Sequence, residues 1–280
     1  MSPTPPHAPG APPALPPLPA RFPARLDVMG VTIVIFTIAV IFSLPALRGS
    51  GRSLDTWGNL VRVLGQFFPP DLSVLRPTLE ALVETFRMAV LATAAAIAIA
   101  VPLGAAGARN LAPRWVVFSV RMLLNGIRTL PSLIWALLAV AVVGANPQAG
   151  VIALTLYSLG YLGKFFADAF ESVDAEVARG LRLIGASPLQ AFQHGLWPHA
   201  RPLIWSHGLW MLEYNLRSAS VIGYVGAGGI GAQLYAYQEF YRWDRFCTVL
   251  LVILFFVILL DLLGERIRER VTRRLRPLTD

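Results

Sequence analysis

The stretch Ala178-Arg179-Gly180-Leu181-Arg182-Leu183-Ile184-Gly185-Ala186-Ser187-Pro188-Leu189-Gln190-Ala191-Phe192, closed by Pro198, is a polar interruption between long apolar runs. Its punctuation predicts two short helices meeting at a sharp corner. Gly185 suits the left-handed conformation that ends a helix. Ser187 is a good N-cap, and Pro188 fits the first helical position, where no N–H is needed. Gly195 and Pro198 then read as the end of the second helix. A plain cytoplasmic loop holding a helical hairpin satisfies the same grammar, so the surroundings must decide.

Those surroundings span a membrane. Of the 280 residues 55% are apolar, and the mean hydropathy is +0.59, too high for an ordinary soluble domain. Twenty-four basic against 16 acidic residues leave a net charge of +8. A basic chain can bind nucleic acid, but here the arginines flank apolar runs, which fits the positive-inside bias of membrane proteins better. The one cysteine, Cys247, lies inside an apolar run, so no intrachain disulfide or CxxC pair is possible. His7, His194, His199 and His207 match no HExxH or common zinc spacing, so no metal site is expected.

Taken in order, residues 1–25 form a Pro/Ala tail, read as disordered and cytoplasmic. The first apolar run, 28–47, carries no charge; twenty residues at ~1.5 Å each cover about 30 Å, the hydrocarbon thickness. Residues 48–78 are mixed and predict an interfacial segment with an amphipathic helix near 54–64, so that 26–79 comprises the first span and a periplasmic interfacial segment. Further spans are expected at 79–107, 115–143, 151–170, 203–225 and 246–263. Pro131 predicts a kink, or a break between an interfacial helix and a span. The chain is therefore expected to be an all-α integral membrane protein with six transmembrane helices. Its core is 80–268, with a cytoplasmic loop at 171–201 and a basic cytoplasmic tail at 269–280. The arginine cluster after the last span places the C-terminus, and with six spans the N-terminus, on the cytoplasmic side.

The residues most out of place in a span are Glu213, Asn215 and Arg217, which should face a bundle interior or water. Glu213 and Arg217, four apart, can form a structural ion pair; alternatively Arg217 lines an anion path and Glu213 orients it. Gly226-x-Gly228-x-x-Gly231, with Gly229 inside it, matches a dinucleotide fingerprint by letter, but it follows a membrane span and not a strand. Glycines this dense more simply allow a sharp turn or a close helix approach. Glu80, Glu84 and Arg87 share a helix face, Lys164 and Asp168 read as an i,i+4 pair, and Arg128 beside Pro131 can snorkel to an interface. No nucleophile–base pair or catalytic carboxylate pair stands out, so no catalytic residue is assigned.

The spacing from Gly185 to Pro198 resembles the EAA loop of bacterial ABC-importer permeases. Arg128-Thr129-Leu130-Pro131-Ser132-Leu133-Ile134-Trp135, Leu162-Gly163-Lys164-Phe165-Phe166, Glu213-Tyr214-Asn215-Leu216-Arg217 and Val225-Gly226-Ala227-Gly228-Gly229-Ile230-Gly231 together resemble the phosphonate-transporter subfamily. The resemblance implies a type I importer permease core in the bacterial inner membrane, without an ATPase site or cofactor of its own. ATP and Mg would sit on two partner ATPase subunits. A second permease, expected as a homodimer, would complete the path, and a periplasmic binding protein would deliver a phosphonate or related phosphorus oxyanion. A permease of the same architecture for another small solute, or an ion-coupled carrier, are the alternatives. Arg179, Gly180, Gly185, Ala186, Ser187, Pro188 and Pro198 would form the loop that meets the ATPase. The loop departs from the family pattern where Arg179 replaces the acidic residue and Gly180 and Leu181 replace two alanines, so shape should carry the docking.

Overall fold

A computed structural model describes residues 28–47 and 55–273. The expectations for the tail at 1–25, and for 274–280 of the basic tail, lie outside the described residues. All regular structure among the described residues is helical. The first unit holds α1 (Val28–Ser43), followed by a short 3₁₀ turn. It is apolar all round, and the hydroxyls of Thr37 and Ser43 donate back to the carbonyls of Ile33 and Ala39 (both 2.8 Å). Its polar side chains are thus satisfied within the helix, as a helix in hydrocarbon requires.

The second unit is built around α6 (Pro147–Glu171), buried on nearly every side. Asn146 caps it by accepting from the N–H groups of Gln148 and Ala149, and Pro147 occupies its first turn. Packed on it are α3 (Leu75–Gly107), α4 (Arg114–Thr129), α5 (Ser132–Val143) and α9 (Trp197–Ile222). The α3 face is a stripe of small residues, Ala89, Ala92, Ala96, Ala100 and Gly104, at helical spacing. Small residues let backbones approach where lipid offers no hydrophobic drive between helices. Gly104 shows how close: a Cβ there would lie 2.7 Å from Phe166 Cβ.

Between α4 and α5 the chain bends by 88°. Leu130 is extended, as the residue before a proline prefers, and Pro131 opens α5. The break expected at Pro131 is therefore present. α2 (Thr56–Phe67), the helix expected near 54–64, places Phe67 in a stack on Trp243 with ring centroids 5.7 Å apart. The latter begins α11 (Trp243–Arg273). Asp71 joins the starts of α3 and α11: its carboxylate accepts from Arg245 Nε at 3.0 Å and its carbonyl from Thr248 at 2.9 Å. Hydrogen bonds from the Ser73 side chain and N–H, followed by Arg245, hold the Asp71 carboxyl below its ordinary value.

Six spans were expected. Among the described residues four helices are long and apolar enough to cross a membrane, and α4 with α5 makes a fifth if the bent pair is one span. The helix outside that count is α9. It is 26 residues long but carries Arg201, Glu213 and Arg217 with His199 and His207, which dilute its apolar character.

Candidate functional site

The corner is built by local capping. Asp174 accepts from the Glu176 N–H (2.9 Å) and starts α7 (Ala175–Leu183). Gly185 has φ +94°, and the Ala186 N–H reaches back to the Leu181 carbonyl at 3.0 Å. A side chain at Gly185 would be strained in this conformation. Ser187 and Gln190 then form a reciprocal capping box at the start of α8 (Pro188–Ala191). Two orphan N–H groups are satisfied within four residues.

The second helix does not end at Gly195 or Pro198. The chain passes through a π turn, Phe192–Leu196, in which the Trp197 N–H donates to the Phe192 carbonyl, and continues directly into α9. Pro198 falls in the first turn of α9, where its missing N–H costs little. Gly195 serves close packing, since a Cβ there would lie 3.0 Å from Leu181 Cδ1.

Below the corner, a polar clasp fixes the end of α6. Arg121 Nη2 lies 2.7 Å from Glu171 Oε1, and Arg121 Nε donates to the Gly107 carbonyl at 2.9 Å. The Arg109 N–H also donates to Glu171 (2.6 Å), and Asn110 donates to the Phe170 carbonyl (2.9 Å). Asp168, read in sequence as a partner of Lys164, lies 4.0 Å from the Arg121 guanidinium. Between this clasp and the corner is a cavity of about 290 Å³, lined among others by Arg109, Arg179, Arg182 and Pro188. Phe170 and Phe192, with ring centroids 5.5 Å apart, seat the corner on the bundle. Apolar side chains stand exposed at its tip, Leu183 at 88%, Ile184 at 82% and Leu189 at 64%, beside the exposed Arg179 and Arg182.

The three polar residues of α9 separate by face. Asn215 is fully buried; its amide donates to Thr93 (2.9 Å) and Ser158 (2.8 Å), joining α9 to α3 and α6. Glu213 and Arg217 point toward α11. A Cβ at Gly264 would collide with the Glu213 carboxylate. Arg217 Nη1 lies 3.9 Å from Asp261 Oδ2. Residues 213 and 217 are nearly in line on a helix, whereas 215 is about half a turn away from each. Asp261 had not been singled out in sequence, although it is the only acidic residue in the run 246–263.

At the far end of α9, Gly226 (φ +89°), Gly228 (+77°) and Gly229 (+70°) turn the chain into α10 (Gly229–Glu239). Glu84 accepts from the Gly229 N–H (3.0 Å) and Thr85 from the Ile230 N–H (2.8 Å), so side chains of α3 cap α10. A Cβ at Gly231 would run into the Ser220 carbonyl. Glu84 and Thr85 take the first two N–H groups of this helix, which favours a turning and packing role for the glycines. No group of three or more His, Cys, Asp or Glu side chains able to hold a metal occurs among the described residues.

Residues 78–277 match the family described as binding-protein-dependent transport system inner membrane component. The chain is 37% identical over 212 residues to the phosphite transport system permease protein PtxC of Stutzerimonas stutzeri, covering 75% of this chain and 77% of that one. It is 32% identical over 251 residues to the phosphate-import permease protein PhnE of Mycolicibacterium smegmatis, covering 89% of this chain and 46% of that one. Among solved structures, a chain of the inward-facing MetNI methionine ABC transporter aligns with a TM-score of 0.63 at 23% identity, over 71% of this chain and 98% of that one.

Proposed function

This chain belongs to the binding-protein-dependent transport system inner membrane components, the permease subunits of ABC importers, and we propose that it forms the membrane path for phosphite, a phosphonate or a related phosphorus oxyanion. Family membership makes it a multi-pass transport component of the inner membrane. It also implies ATPase and binding-protein partners, with nucleotide chemistry residing on the ATPase.

The remaining features belong to our reading. Six spans cross the bilayer, with α9 the polar one, and both termini are cytoplasmic. Two copies of the chain pair, and two ATPase subunits dock below them. The observation that carries the docking is the α7–α8 corner. Its caps make it compact, its base is seated on α6, and Leu183, Ile184 and Leu189 remain exposed at its tip. A compact element of this kind passes on a partner's movement as a rigid body. Cysteines at Ser187 and along the facing ATPase groove should cross-link. Failure at every position from 183 to 190 would remove the docking assignment.

The substrate reading is supported by the identities of PtxC and PhnE. Titration of the partner binding protein with phosphite, 2-aminoethylphosphonate, phosphate and methionine tests it. Saturable binding of a phosphorus oxyanion is expected; binding of methionine alone would refute the substrate class and leave the permease architecture standing.

A further inference from the structure

Arg128 is a cation that the clasp, the corner and the α9–α11 pair do not use. It sits in the last turn of α4, just before the 88° break. Gly160 fixes its depth. A Cβ on Gly160 would lie 3.0 Å from Arg128 N and 3.2 Å from Arg128 Cβ, so Arg128 is level with the middle of the 25-residue α6. Its guanidinium carbon stands 5.1 Å from the centroid of the Tyr161 ring. Among the described residues no carboxylate pairs with it, whereas Arg121, Arg217 and Arg245 each have one.

An arginine at mid-depth is costly unless it faces water, a bundle interior or a bound anion. Stacking on Tyr161 uses the face of the guanidinium and leaves its N–H edge, which matches the geometry of an oxyanion. The neighbourhood supplies donors. The Tyr157 ring lies 4.9 Å from that of Tyr161 and 5.2 Å from that of Tyr214. The Tyr157 and Tyr214 hydroxyls are hydrogen-bonded at 2.7 Å; this bond uses one of their two protons and leaves the other for a further acceptor. Trp210 continues the aromatic wall, 5.9 Å from Tyr214. One cation, hydroxyl donors and aromatic walls make a site suited to a compact anion.

We propose that Arg128, stacked on Tyr161 beside the Tyr157–Tyr214 hydroxyl pair, is the mid-membrane contact for the phosphorus oxyanion in transit. This rests on the substrate reading above and names the residue that serves it. Arg217, already paired with Asp261, supplies less uncompensated charge than Arg128 does.

The test uses the reconstituted transporter with its ATPase and binding protein, otherwise free of reactive cysteine, in a Cys247→Ser background. Uptake of labelled phosphite and 2-aminoethylphosphonate is measured for Arg128, Arg128→Lys and Arg128→Cys. Arg128→Cys should lose roughly tenfold or more of the uptake rate, in line with the loss of a charge-assisted contact. Stimulation of ATP hydrolysis by the loaded binding protein should persist. A cationic aminoethyl-methanethiosulfonate should restore uptake, a neutral methyl reagent should not, and Arg128→Lys should retain part of it. Unchanged uptake in Arg128→Cys overturns the proposal. So does a loss that neither charge nor lysine restores, since that marks a purely structural role. A Cys247→Ser complex with Arg128 intact that takes up neither of these anions nor phosphate defeats the substrate reading first, and the inference with it.

Discussion

Replacing Glu171 by Gln should loosen the floor on which the corner stands. Glu171 accepts from both the Arg121 guanidinium at 2.7 Å and the Arg109 N–H at 2.6 Å. The Arg121 and Glu171 side chains are 24% and 25% exposed, so solvent screens the pair only in part. A hydrogen bond to a charged group contributes about 1.5–3 kcal/mol, and partial exposure argues for the lower half of that range. Glutamine keeps one oxygen for the Arg109 N–H and leaves Arg121 only the more distant Asp168 carboxylate, 4.0 Å away, as counter-charge. Arg121→Met removes the pair and also the bond to the Gly107 carbonyl. The double variant should therefore be less unstable than the sum of the singles, with a coupling of about 1–2 kcal/mol. Denaturant unfolding of the purified permease in micelles, run as a double-mutant cycle, reads that coupling. Hydrogen exchange at the Arg109 amide should quicken in the Glu171→Gln protein. A coupling below about 0.5 kcal/mol, within the scatter of independent sites, would refute the clasp.

Other perturbations separate backbone, core and charge. Gly185→Val places a branched side chain at φ +94° and should cost about 1–2 kcal/mol with loss of coupled uptake. Gly180→Ala, with open space around it inside α7, should be neutral or gain up to about 1 kcal/mol; thermal unfolding and uptake compare the two. Asn215→Leu strips the shared amide from Thr93 and Ser158 and should destabilise by about 1–3 kcal/mol in the same unfolding assay. The depressed Asp71 carboxyl implies a latch fully present above its ordinary value of 3.8 and lost as pH falls through its lower folded-state value. The stability gap between wild type and Asp71→Asn should hold constant from pH 7 to pH 5 and close only under strong acid.

The corner was readable because capping acts within a few residues: Gly185, Ser187 and Pro188 each occupy the position their chemistry predicts. The end of the second helix was misread for the same reason. Gly195 and Pro198 carry terminator signals, yet packing against Leu181 explains the first and a helix start the second. The clasp joins residues 50 apart and the Arg217–Asp261 pair joins two helices, so neither leaves a local pattern to find. Asn215, Glu213 and Arg217 looked like one cluster in sequence; helical geometry sends the asparagine to one side and the charges to the other. Composition and length alone count four helices, or five with the bent pair, and pass over α9, where the polar side chains that draw functional interest also dilute the apolar signal.

The shared amide of Asn215 has a consequence for the rotational setting of α9. Packing between apolar helices is weakly directional, and a helix so held can turn about its own axis at small cost. Turning α9 by one residue, about 100°, would bring Tyr214 or Leu216 to the place of Asn215 and break both bonds together. One side chain thus keys the azimuth of the helix, and with it decides that Tyr214 meets Tyr157 while Arg217 meets Asp261.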